Sequence, residues 1–276
     1  MFTVYRIIGN DLPPRHEQNC ALECTKIIVE QEQLPANVHR RWLLNRIYDS
    51  DTQDRWYDFF EDRNIPYDTI NFEPSEYAAL QTQEQRVMYL TNVNAARNFA
   101  VREGFNYGDV VLPLDSRSVF SLSGWEQFAT GVAMAAHACL YVLGQARLSS
   151  RDFKHELSVG TPSLYETYNF TNKKVTSKRE PAVAFSRNSD LLFDENLVYG
   201  NAEKAELLLA YNVQGIWSHW TTTSRKTKSK RNAVSCGWTS VLPTLNTVAD
   251  TNNLARGAYR ARALEALLER VNEKFC

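Results

Sequence analysis

NVNAARNFAVREGFNYGDVVLPLDSRSVF, residues 92–120, is the stretch from which the fold is read. Its spacing reads as a helix carrying Asn94, Arg97 and Asn98, then a turn between Gly104 and Gly108. A short apolar strand follows from Asp109 to Leu114 and ends on Asp115. A carboxylate just past the C-terminal end of a buried strand stands where open α/β sheets bind their ligands. Arg97, one helix earlier, is within reach of the same crevice, and its planar fork suits an anionic group. Such a pair fits a metal-bound nucleotide diphosphate, in which the metal neutralises phosphate charge and Arg takes the remaining oxygens. The plainer reading is that Asp115 only closes the turn after a strand, as Asp often does.

Working outward, the preceding segments repeat the pattern. Thr3 to Ile8 is a β-rich run stopped by Gly9-Asn10-Asp11 and Pro13-Pro14, residues of tight turns. Glu17 to Gln33 reads as a helix with Ala21, Leu22, Ile27 and Ile28 on its apolar positions. Arg41 to Tyr48 is a second strand ending on Asp49-Ser50-Asp51, and Asp51 caps a helix containing Trp56, Phe59 and Phe60. Pro66 to Phe72 is a third strand, and one helix from about Thr82 to Glu103 leads into the strand that ends on Asp115. This β-α-β-α-β-α-β order predicts a mostly parallel α/β sheet flanked by helices. Right-handed crossovers bring the polar strand ends to one edge, the natural place for a nucleotide. Neither GxGxxG nor GxxxxGK[ST] occurs, which argues against a dinucleotide-binding protein and a P-loop NTPase.

With 276 residues the chain is long enough for one large α/β domain or two small ones. A net charge of -1 supplies no whole-protein attraction to nucleic acid or to anionic membrane. Cysteines 20, 24, 139, 236 and 276 are scattered, and the Cys20/Cys24 pair has no second pair to complete a zinc site. A reduced, cytoplasmic setting is expected. The start lacks the basic and apolar regions of a signal peptide. Gly131 to Gly144 is too short for a membrane span and contains His137, so no span is expected.

YRIIGNDLPPRH, RWLLNRIYD, NxNxARNxAxxxG and DVVLPLDSRSVF together resemble a GT-A-type glycosyltransferase. More narrowly, the chain is similar to a little-characterised bacterial and viral family of nucleotide-sugar transferase-like proteins, in which the segment after the fourth strand usually reads LPxDGNxFF. The likeness continues, more loosely, through FDENLVYGNAEKAELLLAYNV. It implies a GT-A-like, Rossmann-like sheet and a nucleotide-diphosphate sugar donor, a UDP-sugar in the first instance. It also implies Mn²⁺ or Mg²⁺ held by an Asp-x-Asp motif. Here that motif is Asp115-Ser116-Arg117, so a cation replaces the second carboxylate. Either Asp115 holds the metal with waters and phosphates, or Arg117 supplies the charge, or activity has been lost.

Downstream, Ser123-Gly124-Trp125-Glu126 fits a capping box opening a helix to about Ala136, and Ala138 to Leu143 is a further strand. Arg151 to Lys178 is polar; its Tyr165, Tyr168 and Phe170 either stack on sugar faces or pack a small subdomain. Pro181 to Ser186 is a strand, Glu203 to Tyr211 an amphipathic helix and Val213 to Trp217 a final strand. The family likeness makes Glu203 the first candidate for general base, with Asp194 and Glu195 behind it; the alternative is acids opposing a helix dipole. His219 is a possible extra metal ligand or simply a packed residue. The basic run from Arg225 to Arg231 is a lid over a diphosphate, an anion-binding surface or a solvated loop. Asn253 to Phe275 is a helix with Leu254, Leu264, Leu267, Leu268 and Val271 on its apolar positions.

The expected layout is a nucleotide-sugar-binding half in residues 1–150, an acceptor-side region in 151–252 completing the same domain, and a helix in 253–276. Gly9, Asn10, Asp11 and Arg46 would line the nucleoside side. Asn94, Arg97, Asn98 and Arg117 would face the diphosphate or donor sugar, and Asp115 would hold the metal. The expected acceptor is a hydroxyl of a glycan or other molecule. The competing readings are a non-catalytic nucleotide-sugar-binding protein and a nucleic-acid-associated protein using the 225–231 run; near-neutral charge and the lack of an RNA-binding motif count against the latter.

Overall fold

The computed structural model describes residues 1–147, 170–171, 174–175, 181–197, 199, 203–211, 213–215, 233–242 and 253–276. Its first half contains β1 (Phe2–Ile8), α1 (Cys20–Gln31), β2 (Val38–Asn45), α2 (Ser50–Glu61), β3 (Tyr67–Ile70), α3 (Pro74–Ala79), α4 (Gln83–Thr91) and α5 (Val93–Gly104). Then come β4 (Val110–Asp115), β5 (Ser118–Val119), α6 (Leu122–Met134), β6 (Leu140–Arg147), β7 (Phe170–Thr171) and β8 (Lys174–Val175). The remaining elements are β9 (Ala182–Ser186), α7 (Glu203–Ala210), β10 (Gln214–Gly215), β11 (Ala233–Val241) and α8 (Asn253–Phe275).

β1 is buried from Thr3 to Ile8 and β4 from Val110 to Leu114, as befits strands covered on both faces. They lie at the centre of an eight-stranded sheet of order β3-β2-β1-β4-β9-β6-β11-β5. β1 to β4, β6 and β11 share one direction, while β9 and β5 run against them. The mixed but mostly parallel α/β architecture matches the expectation from sequence. The chain winds outward from β1 to β3 on one side and returns to β4 on the other. The direction of winding therefore reverses between β1 and β4, and open sheets form a ligand crevice at such a reversal.

α5 is held hard against this centre. A Cβ built on Gly104 would lie 2.5 Å from Val111 Cγ1, so only glycine allows the helix this close to β4. Thr3 Oγ1 donates to the Gly104 carbonyl at 2.9 Å and adds a tie to β1. At the far side, α8 packs Ala263, Leu267, Leu268 and Val271 onto Leu12, Tyr77 and Leu90. Asn272 Oδ1 accepts from Tyr77 Oη at 2.8 Å and from Arg86 Nη1 at 2.9 Å. The bounds of α8 are those expected, and no helix among the described residues is long and apolar enough to cross a membrane.

Several expected boundaries move. The single helix over 82–103 is two helices, because Asn92 leaves helical geometry (ψ 77°) and its side chain caps α5 by accepting from Ala95 N. β2 ends at Asn45 instead of Tyr48, since Arg46 turns the backbone left-handed (φ 49°). Asp49, not Asp51, caps α2 by accepting from Thr52 N at 3.0 Å. Ser121, not Ser123, caps α6 through Gly124 N. In the 213–217 segment, Gln214–Gly215 pairs with β8 in a separate three-stranded sheet. The last strand of the main sheet is β11, which the sequence reading did not foresee, along with α3 and β5.

Candidate active site

The parallel register places Ile7 beside Asp115 and Ile8 beside Leu44, so the ends of β1, β2 and β4 meet at one edge. Gly9, Asn10 and Asp11 follow β1 there. Asn10 ties its own loop to the one after β2: its Nδ2 donates to the Arg46 carbonyl at 2.8 Å and its Oδ1 accepts from Tyr48 N at 3.1 Å. Asp11 accepts from Asn19 N at 2.6 Å, and burial raises its pKa against that hydrogen bond. Gly9 is exposed, and a Cβ there would meet nothing within 4 Å among the described residues, so no described neighbour requires the glycine. The Arg46 guanidinium lies 4.8 Å from the centre of the Tyr89 ring.

Asp115 ends β4 between two cations. Arg97 Nη2 donates to Oδ1 at 2.9 Å, and Lys204 Nζ stands 3.4 Å from Oδ2. The Arg97 and Lys204 side chains are 6% and 5% exposed, that of Asp115 50%. Burial works to raise the Asp115 pKa, but the Lys204 ammonium and then the Arg97 guanidinium hold it far below the usual carboxylate range. One carboxylate thus gathers two buried cations from two separate helices. Arg97 is fixed from other sides too: Nη1 donates to Asn94 Oδ1 at 3.0 Å, and the guanidinium lies 5.3 Å from the Phe193 ring centre.

The polar face of α5 laces down the segment Phe193–Glu195. Asn98 Nδ2 donates to the Phe193 carbonyl at 3.0 Å while its Oδ1 accepts from Phe193 N at 3.0 Å, the two bonds a neighbouring strand would make. Asn94 Nδ2 donates to the Asp194 carbonyl at 2.7 Å, and Asn92 Nδ2 to the Glu195 carbonyl at 3.3 Å. Asn94 and Asn98 are buried and use their amides on the chain itself. The Glu195 carboxylate accepts from Asn98 Nδ2 at 2.7 Å and pairs with Arg102 at 3.5 Å. Asp194 Oδ1 accepts from Asn196 N.

Of the expected site residues, the fold brings Gly9, Asn10, Asp11, Arg46, Arg97 and Asp115 to one edge. Arg117 turns to β11: its Nη1 donates to the Leu242 carbonyl at 3.4 Å, and its own carbonyl accepts from Leu242 N at 2.9 Å. The Glu203 side chain, His219, Tyr165, Tyr168 and the 225–231 run lie outside the described residues. Lys204 was missed. Its signal is a charge inside a helix buried almost throughout, since Lys204, Ala205, Glu206, Leu207, Leu208 and Ala210 are all buried, and a buried charge demands a partner.

Mg²⁺ keeps several waters and binds through one or two carboxylates together with substrate phosphates, so the test is whether a carboxylate oxygen is open to it. Among the described residues no group of three or more His, Cys, Asp or Glu stands together. Both Asp115 oxygens already face cations. At an effective dielectric constant near 20, unit charges 4 Å apart interact by about 4 kcal/mol, and a divalent ion doubles that repulsion from each cation. The described residues do not fit a divalent metal at Asp115.

No family model matches the chain, and no curated protein matches it. Solved structures do. GalNAc-T7 with UDP, GalNAc and Mn²⁺ aligns over 99% of this chain with a TM-score of 0.51 and 10% identity. The mannosyltransferase PcManGT from Pyrobaculum calidifontis, in complex with GDP-Man and Mn²⁺, aligns over 98% with a TM-score of 0.47 and 13% identity. S. aureus TarS 1–349 aligns over 97% with a TM-score of 0.44 and 12% identity. The chain spans 49%, 64% and 72% of these three. The likeness to the first is one of fold: a mixed, mostly parallel sheet flanked by helices, as in GT-A enzymes.

Proposed function

We propose that the protein is a glycosyltransferase that moves a sugar from a nucleotide-diphosphate donor, a UDP-sugar, to a hydroxyl of a glycan or other acceptor. The observation that carries this reading is the Asp115 trio standing at the reversal of the sheet, where the β1 and β2 loops also converge. The narrower bacterial and viral family likeness rests on the motif residues alone. None of the five cysteines forms a disulfide, which agrees with a cytoplasmic setting. Residues 1–150 form the donor half in this reading, 151–252 the acceptor side and 253–276 a supporting helix.

This reading assigns the following roles. Gly9 leaves room for close approach of the donor, and Asn10 and Asp11 shape the nucleoside loop while Arg46 faces the base or ribose. Arg97 and Lys204 supply the positive charge that the departing diphosphate needs, an electrostatic contribution that is usually the largest in such sites. Asn94 and Asn98 act as positioning residues, since their amides hold the 193–195 segment. In a direct displacement the acceptor oxygen bonds to the anomeric carbon as the bond to the diphosphate oxygen breaks. The diphosphate leaves with the electron pair, and the hydroxyl proton passes to a carboxylate. Glu203 is first choice for that base, because its neighbour Lys204 reaches Asp115. Asp194 and Glu195 follow, the latter already engaged by Asn98 and Arg102. A Mn²⁺ or Mg²⁺ ion would have to be held by Asp115, with His219 as a further ligand, and the donor set described above does not favour it.

Arg117, in place of a second carboxylate, favours one other reading, binding of a nucleotide sugar without turnover. Calorimetric titration with a panel of nucleotides and nucleotide sugars, followed by measurement of released nucleoside diphosphate, decides between them. One nucleoside diphosphate is expected to bind, with binding weakened when Arg97 is replaced by Met. Failure of every nucleotide to bind sinks the glycosyltransferase reading, and binding with no release even after long incubation favours the second.

A further inference from the structure

We propose that Asp115 anchors two buried cations instead of ligating a metal, so that the site takes a nucleoside diphosphate without a divalent ion. The identity of the anion rests on the proposed function; the assignment of Asp115 does not. Each carboxylate oxygen already faces a cation, Arg97 at 2.9 Å and Lys204 at 3.4 Å. These cations come from two different helices, α5 and α7, and both are buried, so neither swings aside as a surface lysine would. Arg97 is also braced by Asn94 and by the Phe193 ring, which fixes it with no ion present. A divalent ion approaching Asp115 would meet both positive charges at contact range. A diphosphate meets the opposite: two buried cations gathered on one carboxylate. Arg117, the residue at the usual second acidic position, is bound to the end of β11 and adds no carboxylate. The charge that a metal would bring is thus built into the chain, chiefly through Lys204.

Two titrations on the full chain test this. Mn²⁺ alone is titrated calorimetrically, and UDP and GDP are titrated in the presence of Mn²⁺ or of EDTA. The expected results are no Mn²⁺ binding that depends on Asp115, and a nucleoside diphosphate affinity that differs by less than about twofold between the two conditions. Lys204→Met, which releases one carboxylate oxygen and removes a charge, weakens diphosphate binding by about tenfold or more and makes it respond to Mn²⁺. Lys204→Arg keeps the charge and preserves metal independence; thermal melts establish that both variants fold. Saturable Mn²⁺ binding that disappears in Asp115→Asn overturns the proposal, as does affinity that rises about tenfold or more with Mn²⁺. Should neither UDP nor GDP bind in any condition, the proposed function falls, while the Mn²⁺ titration still decides what Asp115 does.

Discussion

Two ionic clusters flank β4, and they are built on different stoichiometries. On one side Arg6 and Glu32 are both fully buried. Arg6 Nη2 donates to Glu32 Oε1, Arg6 Nε donates to the Ser118 carbonyl at 2.7 Å, and Phe120 N donates to the same Glu32 oxygen at 2.9 Å. One charge meets one charge, and the pair fastens the turn after Asp115 to β1 and to the end of α1. At the end of β4 one carboxylate meets two cations, and half of it is open to solvent. The closed pair matches one charge with one and is sealed from solvent. The open trio holds two cations on one carboxylate at the edge where the winding of the sheet reverses. The comparison teaches how differently two charged clusters can be held: one is sealed from solvent, while the other leaves half of its carboxylate open.

The largest effect is expected where the closed pair is broken. Glu32→Gln leaves Arg6 buried without its counter-charge, which costs about 3–5 kcal/mol. The melting temperature then falls by roughly 2–4 °C for each kcal/mol lost in a chain of this size. Nucleotide affinity of the folded fraction should change little. A melt that stays within a few degrees of the parent, with affinity lost instead, would erase the distinction between the clusters.

A smaller loss is expected in Asn98→Ala. It strands the Phe193 amide and carbonyl, a cost of about 1–3 kcal/mol, and loosens the segment on which the Arg97 guanidinium lies. Hydrogen exchange of residues 193–195 should quicken while the amides of β1 keep their protection. Equal loss of protection in both would show that the lacing is part of the global core and not specific to the open side.

The smallest effect is with acid. The folded Asp115 pKa is depressed, so its contribution is complete above the unfolded value near roughly pH 4 and is lost as pH falls through the lower folded value. Acid unfolding followed by circular dichroism should show an extra loss of stability below about pH 4 that is absent in Asp115→Asn. An unchanged acid limb in that variant would mean that the trio contributes no pH dependence.

Much of this was legible because alternation of apolar strands and helices depends on local spacing. Val110 to Leu114 is wholly apolar, and the end of β4 at Asp115 follows directly. The tail helix shows its apolar face at helical intervals, and its ends are as read. Asn92 escaped notice because the apolar period runs straight through it while its side chain decides the break. β11 escaped because Ser235, Cys236 and Gly237 interrupt the strand pattern. The register shifts there, and Gly237 takes φ 63° with its Cβ position 2.6 Å from Phe128 N. Within the site, Asp115 and Arg97 could be paired from the strand-helix order. Lys204 reaches Asp115 across 89 positions, and the partners of Asn94 and Asn98 lie about as far away. No local pattern encodes such contacts.

Arg46 carries a consequence for how this chain tolerates change. Its backbone sits at φ 49°, a conformation that glycine adopts at no steric cost and a long side chain adopts only under strain of roughly 1–3 kcal/mol. Position 46 is therefore contested ground: the main chain votes for glycine and only the guanidinium, laid over Tyr89, votes for arginine. Drift toward a more stable fold would discard that guanidinium first. The guanidinium over Tyr89 thus stands on a backbone conformation that its own residue type does not favour.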